Sequence, residues 1–434
     1  MAEDKKGTLQ GQRSVKNMES AKTASQYQKA WFSAMSERVS NGEPFAYINA
    51  DVPMEILRTM DIPFVVNQWW AALCSAKQMA DKYFGFLRDN GYRDDLCNYC
   101  ATALAGSMDL NPEDGPWGGL PKPTITITRL TCDCQGKIFE LFSQKHGADF
   151  YPMVNTIPNI APEKWWEKTA DHWEDLYEKE RLDAAVEELK RLIGFLEMKT
   201  GRMFDNNKLI KVMNLINEQE NYYRKARDLI ADTMPAPVTI SDTVNAVMQA
   251  QWQRGTEWAA GHAKAFYEEI RERVSAGDTA CPNEKIRLMW IGRGLWFNLG
   301  FYQYFEEKFG AAFIWSMYLA MAADAYVRNN VEADPLRALA ARYIGMEDFL
   351  HMPPWNSEWF AYEAKHNKID GAVYLVPENC MQAVEGAYFI TKALEDSGVP
   401  VLQLRADPVD ARRWNQDNMT MAVEKFLEER IIGE

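Results

Sequence analysis

At 434 residues, with 47% hydrophobic and 25% charged side chains, the chain has room for two or three compact units and is excluded from being a single small module. A formal net charge of −14 argues against a nucleic-acid partner, because neutralising phosphate needs clustered Lys and Arg. No apolar run approaches the ~20 residues of a membrane helix, and Met1-Ala2-Glu3-Asp4-Lys5-Lys6 has no apolar core behind it, so a soluble cytoplasmic protein without a signal peptide is expected.

Residues 1–42 are polar with scattered apolar positions, as in Ala30-Trp31-Phe32-Ser33-Ala34-Met35, and read as an N-terminal helical segment. From Pro44 the pattern becomes α/β: a strand at Phe45 to Ile48, a helix at Pro53 to Met60 and a strand at Phe64 to Val66. It recurs as a strand at Thr124 to Ile127, a helix near Gly136 to Lys145 and a strand at Asp149 to Val154. Between 161 and 282 the apolar residues fall at helical spacing, as in Ala184 to Ile193, which predicts a helical segment interrupted at Pro235 and Pro237. The α/β pattern resumes with Ile286 to Ile291, a helix through Tyr302 to Lys308, and an apolar stretch at Ala311 to Tyr318. A buried strand at Ile369 to Pro377, a helix at Met381 to Asp396 and a strand at Val399 to Leu404 close the chain. The reading is an α/β protein of two doubly wound, Rossmann-like lobes, 43–160 and 283–434, with an N-terminal helical segment (1–42) and a helical insert (161–282).

Seven cysteines in an acidic chain of this length do not form the dense, paired framework of a secreted domain, so they are core residues, reactive thiols or metal ligands. Cys132 and Cys380 each follow a predicted strand and precede a predicted helix, where ligand sites of open α/β sheets form and helix N-termini favour negative charge. Cys97 lies in the polar stretch Asp95-Leu96-Cys97-Asn98-Tyr99-Cys100. Cys97-x-x-Cys100 is also compatible with a redox pair or half a zinc site, although no second C-x-x-C or His pair accompanies it. A cysteine taken singly is more often a small buried hydrophobe, and the strand-end position shifts that balance only for Cys132 and Cys380. Gly292-Arg293-Gly294 follows a strand but lacks the third glycine of a dinucleotide fingerprint and reads as a turn; neither a P-loop nor a G-x-S-x-G elbow is present. Trp69 and Trp70 are candidates for an aromatic substrate pocket, and Glu55 and His351 for proton transfer, against the commoner roles of such residues in cores and ion pairs.

At these residues the chain resembles the 2-hydroxyacyl-CoA dehydratase and class I benzoyl-CoA reductase subunits. Val52-Pro53-Met54-Glu55-Ile56-Leu57 with Met60-Asp61-Ile62-Pro63 is similar to the family's opening element. Asp95-Leu96-Cys97, Thr131-Cys132-Asp133 and Glu378-Asn379-Cys380 resemble its three cysteine motifs, in order and across nearly the whole chain. The resemblance implies a [4Fe–4S] cluster between two α/β lobes, held by Cys97, Cys132 and Cys380, with Cys100 and Cys134 as additional neighbours. It also implies a heterodimer with a related iron–sulfur subunit, fed electrons by an ATP-hydrolysing iron–sulfur activator with ferredoxin upstream. The physical logic is a thioester reduced to a ketyl-type radical by an electron more negative than ordinary carriers deliver; cluster potentials reach about −700 mV. The Asn67-Gln68-Trp69-Trp70 and Trp117-Gly118-Gly119-Leu120-Pro121 stretches resemble the reductase branch, in particular its Bzd-type O subunit. The first expectation is therefore an oxidoreductase subunit that reduces benzoyl-CoA, or a substituted analogue, to a cyclic dienoyl-CoA. The alternatives are a 2-hydroxyacyl-CoA dehydratase, a lyase using the same machinery, and an electron-relay or scaffolding subunit whose partner alone holds the acyl-CoA.

Overall fold

The computed structural model describes residues 14–154, 156, 161–325 and 327–433. The first 13 positions of the expected N-terminal helical segment, the opening Met1 to Lys6 among them, lie outside the described residues. The rest of that segment forms one long helix, α1 (Glu19–Ser40). The first α/β unit then runs β1 (Ala46–Ile48), α2 (Met54–Thr59), β2 (Phe64–Val66), α3 (Asn67–Ala76), α4 (Ala80–Asp89), α5 (Asn98–Gly106), β3 (Ile125–Arg129), α6 (Asp133–His146) and β4 (Asp149–Met153). Four helices follow: α7 (Lys179–Thr200), α8 (Asn206–Asp232), α9 (Ile240–Trp252) and α10 (Glu257–Ala276). The second unit comprises β5 (Ile286–Ile291), α11 (Phe301–Phe309), β6 (Ala311–Ser316), α12 (Met317–Ala325), α13 (Pro335–His351), α14 (Trp355–His366), β7 (Gly371–Val376), α15 (Met381–Asp396), β8 (Val401–Arg405) and α16 (Gln416–Phe426).

Both sheets are four-stranded and wholly parallel, ordered β2-β1-β3-β4 and β6-β5-β7-β8. The strand order is the same in each, so the duplicated architecture expected from the sequence is present in topology without a repeat in the residues. Parallel strands need helical crossovers and are buried on both faces, which is why β5, β6 and β7 read as continuous apolar runs instead of alternating ones. Arg287 is the exception within β5; its Nε donates to Glu284 Oε1 at 2.7 Å and its Nη1 to the Ala231 carbonyl at 3.0 Å, so its charge is met inside the core.

The apolar stretch 311–318 divides between the whole of β6 and the start of α12, and the helix expected from Gly136 starts three residues earlier, directly after Cys132. The long helices α13 and α14 lie between β6 and β7, inside what reads from sequence as a plain α/β region. The helical segment is not an appendage: α8 packs on α10, α12, α2 and α13, and α1 packs on α9 and α10. One hydrophobic cluster runs from Phe32 and Trp69 through Leu196, Met213 and Ile216 to Trp315 and Trp359. Among the described residues no helix is long and apolar enough to cross a membrane.

In each sheet the strand order reverses direction between the first and third strands of the unit, at β1/β3 and at β5/β7, where crossovers leave on opposite sides and a crevice opens beyond the strand ends. These two crevices, one from each unit, supply the site.

Candidate functional site

Each of the three cysteines immediately precedes a helix: Cys97 before α5, Cys132 before α6 and Cys380 before α15. The N-terminal turns of helices carry unpaired N–H groups and a positive dipole end, which favour a thiolate over a thiol. At Cys132 this is visible directly, because its Sγ accepts the Gln135 backbone N–H at 3.3 Å. Cys132 and Cys380 sit there because β3 and β7 end a few residues before them, whereas Cys97 arrives through the loop after α4. The thiols feel one another: burial first, then the charges of Cys97, Cys134 and Cys380, push the Cys132 thiol up to about 12. Cys97 moves the other way. A hydrogen bond from Cys100 overcomes the cost of burial and, with the Arg293 charge, holds its thiol at about 7.

Among the described residues no group of three His, Cys, Asp or Glu side chains is arranged to hold one metal ion. In an iron–sulfur cluster each thiolate binds a different iron, so separated thiols are the donor set it needs. Cys97, Cys132 and Cys380 fit that requirement in donor chemistry, in placement at helix N-termini and in mutual electrostatic reach.

Arg293 joins this group to a cavity. Its Nη1 lies 3.7 Å from Cys380 Sγ, and its guanidinium stacks 5.2 Å from the centre of the Tyr99 ring. The backbone dictates that position: Gly292 has φ +102°, and a Cβ there would sit 2.6 Å from the Leu375 carbonyl oxygen, so only glycine allows the turn that follows β5. The cavity, about 160 Å³, lies between the two sheets' strand ends. Asp51 lines it from the loop after β1, Arg293 from the loop after β5, His351 from the end of α13, and Tyr374 and Pro377 from β7 and the loop beyond. Asp51 Oδ2 accepts from Thr131 Oγ1 at 3.0 Å, and Gln135 Nε2 donates to Thr128 Oγ1 at 2.7 Å and to the Arg129 carbonyl at 3.0 Å. The loop carrying Cys132 is thereby tied to the cavity wall. Burial lowers the His351 imidazole to about 4, with Asp51 opposing and Arg293 adding to the shift, so at neutral pH it faces the cavity uncharged.

The remaining sequence candidates are placed elsewhere. Glu55 is fully buried on α2, accepting from Arg254 Nε at 2.7 Å and from the Tyr343 hydroxyl at 2.6 Å, with Arg342 Nε at 3.3 Å. Burial alone would raise its carboxyl, but Arg254 and Arg342 hold it at about 2. Trp69 and Trp70 pack under α1: Trp70 stacks on Phe32 at 5.7 Å, and Trp69 Nε1 donates to Gln28 and Gln249, each at 3.2 Å. Their neighbour Gln68 is the α3 residue on the cavity wall. Sequence reasoning missed Arg293, Asp51, Asn356 and Glu347. Arg293 left a signal, the glycine-flanked turn after a strand; Glu347 and Asn356 left none, because α13 and α14 carry no motif, and Asp51 is one acid among many in a short loop after β1.

Glu347 stands on α13 behind the cavity, 4% exposed, and its Oε2 has no hydrogen-bond partner among the described residues. Burial above all, then the Asp51 charge, pushes its carboxyl up to about 8, so it keeps its proton at neutral pH. A folded-state value above the unfolded one gives stability that is intact below the unfolded value of about 4.3 and lost as pH rises through the folded value. Glu347→Gln is therefore expected to flatten the stability profile between about pH 4 and about pH 8. Relative to the variant, the wild type loses up to about 1.4 kcal/mol per pH unit between those limits. Urea unfolding midpoints of both proteins across that range check it, and parallel profiles would refute it.

The family described as 2-hydroxyglutaryl-CoA dehydratase, D-component, matches residues 49–429 of the chain. Among curated relatives, the (R)-2-hydroxyisocaproyl-CoA dehydratase alpha subunit of Clostridioides difficile is 23% identical over 410 residues, 93% of each chain. The (R)-phenyllactyl-CoA dehydratase alpha subunit of Clostridium sporogenes is 24% identical over 384 residues, 88% of each. The lactoyl-CoA dehydratase subunit alpha of Anaerotignum propionicum is 22% identical over 410 residues, 90% of this chain and 92% of the relative.

Proposed function

The chain belongs to the 2-hydroxyglutaryl-CoA dehydratase, D-component family, and from that premise we propose that it is the substrate-facing subunit of a 2-hydroxyacyl-CoA dehydratase. The observation that carries the reading is a cavity with a mostly apolar wall lying beside three thiols at helix N-termini, with Arg293 touching both. This corrects the order of expectations drawn from sequence, which put ring reduction first. The relatives are dehydratase alpha subunits, so the lyase alternative moves ahead of the benzoyl-CoA reductase.

The reaction removes the hydroxyl from C2 and a proton from C3 of the acyl group as water, leaving an enoyl thioester, with no net oxidation or reduction. A [4Fe–4S] cluster held by Cys97, Cys132 and Cys380 would supply low-potential single-electron chemistry to that otherwise unactivated C–H bond. The chain's own residues do the rest. Arg293 sets positive charge between the thiolates and the cavity, where the thioester oxygen gains electron density. His351, uncharged at neutral pH, and Asp51 offer proton acceptors on the cavity wall. Methionine and aromatic side chains make most of the wall apolar, a lining that disfavours water beside a reactive acyl species. A related iron–sulfur subunit, an ATP-hydrolysing activator and ferredoxin complete the proposed system.

The test is anaerobic purification of the complex, determination of iron and acid-labile sulfide, and assay with activator, ATP and reductant on 2-hydroxyacyl-CoAs and on benzoyl-CoA. Iron with water elimination is expected. Ring reduction without dehydration would restore the reductase, and wild-type protein without iron would remove the cofactor assignment. A complex that dehydrates while this chain fails to bind acyl-CoA would make it a relay.

A further inference from the structure

A groove between α1 and the edge strand β2 holds a positive charge that its surroundings leave unanswered. Trp31, Met35 and Arg38 line it from α1, Arg58 from α2, and Asp61 and Phe64 from the turn into β2, around a volume of about 160 Å³. It opens at the amino ends of the strands, whereas the cysteines and the strand-end cavity lie beyond their carboxyl ends.

Arg38 is committed on this groove. Its Nε donates to Glu43 at 2.9 Å, and its Nη2 donates to Glu43 at 2.7 Å and to Asp61 at 3.1 Å. Arg202 pairs with the same two carboxylates. Arg58 has no such partner. Its Nη2 donates to the Trp252 carbonyl at 3.2 Å and its guanidinium lies 5.2 Å from the centre of the Phe64 ring, but among the described residues no carboxylate comes within ion-pair distance of it. The Nε is enclosed and unbonded; Nη1, also unbonded among the described residues, is the nitrogen left for the groove. Three guanidiniums thus meet two carboxylates, which leaves one positive charge over in a chain of net charge −14. Burial lowers the Arg58 guanidinium to about 10, the response of a cation short of a counter-charge.

The rest of the wall is apolar. Trp31, Met35 and Phe64 offer flat and adaptable surfaces, and the volume is close to that of the roughly 150 Å³ cavities known to take up benzene. An apolar wall with one convergent cation is the lining that a small organic anion requires.

We propose that this groove is a second ligand site, which takes a small aromatic monocarboxylate, its carboxylate paired with Arg58 Nη1 and its ring laid against Trp31, Met35 and Phe64. The site needs neither the cluster nor a thioester, so it stands apart from the acyl-CoA reading.

Ligand-observed fluorine NMR of the anaerobically purified complex tests it, with 4-fluorophenylacetate as the probe and 4-fluorophenylacetamide as its neutral counterpart. Saturable binding of the acid is expected, with the amide about tenfold weaker because it cannot pair with a guanidinium. Arg58→Gln should weaken the acid by about the same factor and leave the amide's affinity in place. Ala34→Phe alters an exposed position of α1 on the groove's rim, fills the groove without touching the core, and should remove both ligands. That variant also decides the matter if Arg58→Gln folds poorly. Equal binding of acid and amide by the wild type, no binding of the acid, or acid binding that survives Ala34→Phe overturns the proposal.

Discussion

Cys132→Ala is expected to strip the protein of iron and acid-labile sulfide and to abolish turnover, while Cys74→Ala leaves both in place. Cys74 is 2% exposed within α3, where burial pushes its thiol well above the ordinary value, so it serves as packing. Cys132 stands at the head of α6, in electrostatic reach of Cys97 and Cys380. Its Sγ also caps that helix, and loss of a cap costs about 1 kcal/mol, so a small drop in stability on its own says nothing about a cluster. Cys132→Ser separates the roles. The hydroxyl caps the helix as well as sulfur does but is a poor ligand for iron, so the serine variant should keep its melting temperature and still lose most of its iron. Equal iron loss in the Cys74 and Cys132 variants would break the ligand assignment.

Glu55→Ala should destabilise the fold by about 3–5 kcal/mol, the usual cost of leaving a buried charge uncompensated. Two arginines, Arg254 and Arg342, are 3% and 1% exposed and converge on this carboxylate, which the Tyr343 hydroxyl also reaches. The three partners come from α13 and the loop after α9, so the interaction fastens α2 of the first unit to the second. Glu55→Gln keeps the shape and removes the charge, and should lose most of the same stability. A carboxyl held at about 2, below its unfolded value of about 4.3, stabilises fully above the unfolded value and loses that contribution as pH falls towards the folded one. Acid unfolding of the wild type should therefore begin in that window, and the glutamine variant should lack the step. A variant with unchanged thermal and acid stability but no turnover would return Glu55 to the proton-transfer role suggested by its sequence context.

Several parts of the site were legible in the chain because they depend on local chemistry. Continuous apolar runs at 286–291 and 371–376 are strands that parallel sheets bury on both faces, and Cys132 after β3 and Cys380 after β7 each mark a crevice by topology alone. Other parts were illegible for an equally physical reason. A Trp pair in a helix reads the same whether its rings face a ligand or another helix, and here they face Phe32 of α1. A glutamate three residues before an arginine at 58 gives no sign that its partners lie at 254 and 342.

By itself the sequence determined the parallel α/β class, the helical segment between the two units and the family, since periodicity, turn residues and ordered cysteine motifs are properties of neighbouring residues along the chain. Only the tertiary structure decided what surrounds the cysteines. Arg293, Asp51, His351 and Asn356 come from four separate loops and helices, and their charge, protonation and hydrogen bonding follow from burial and from partners up to 300 residues away, which no local pattern encodes.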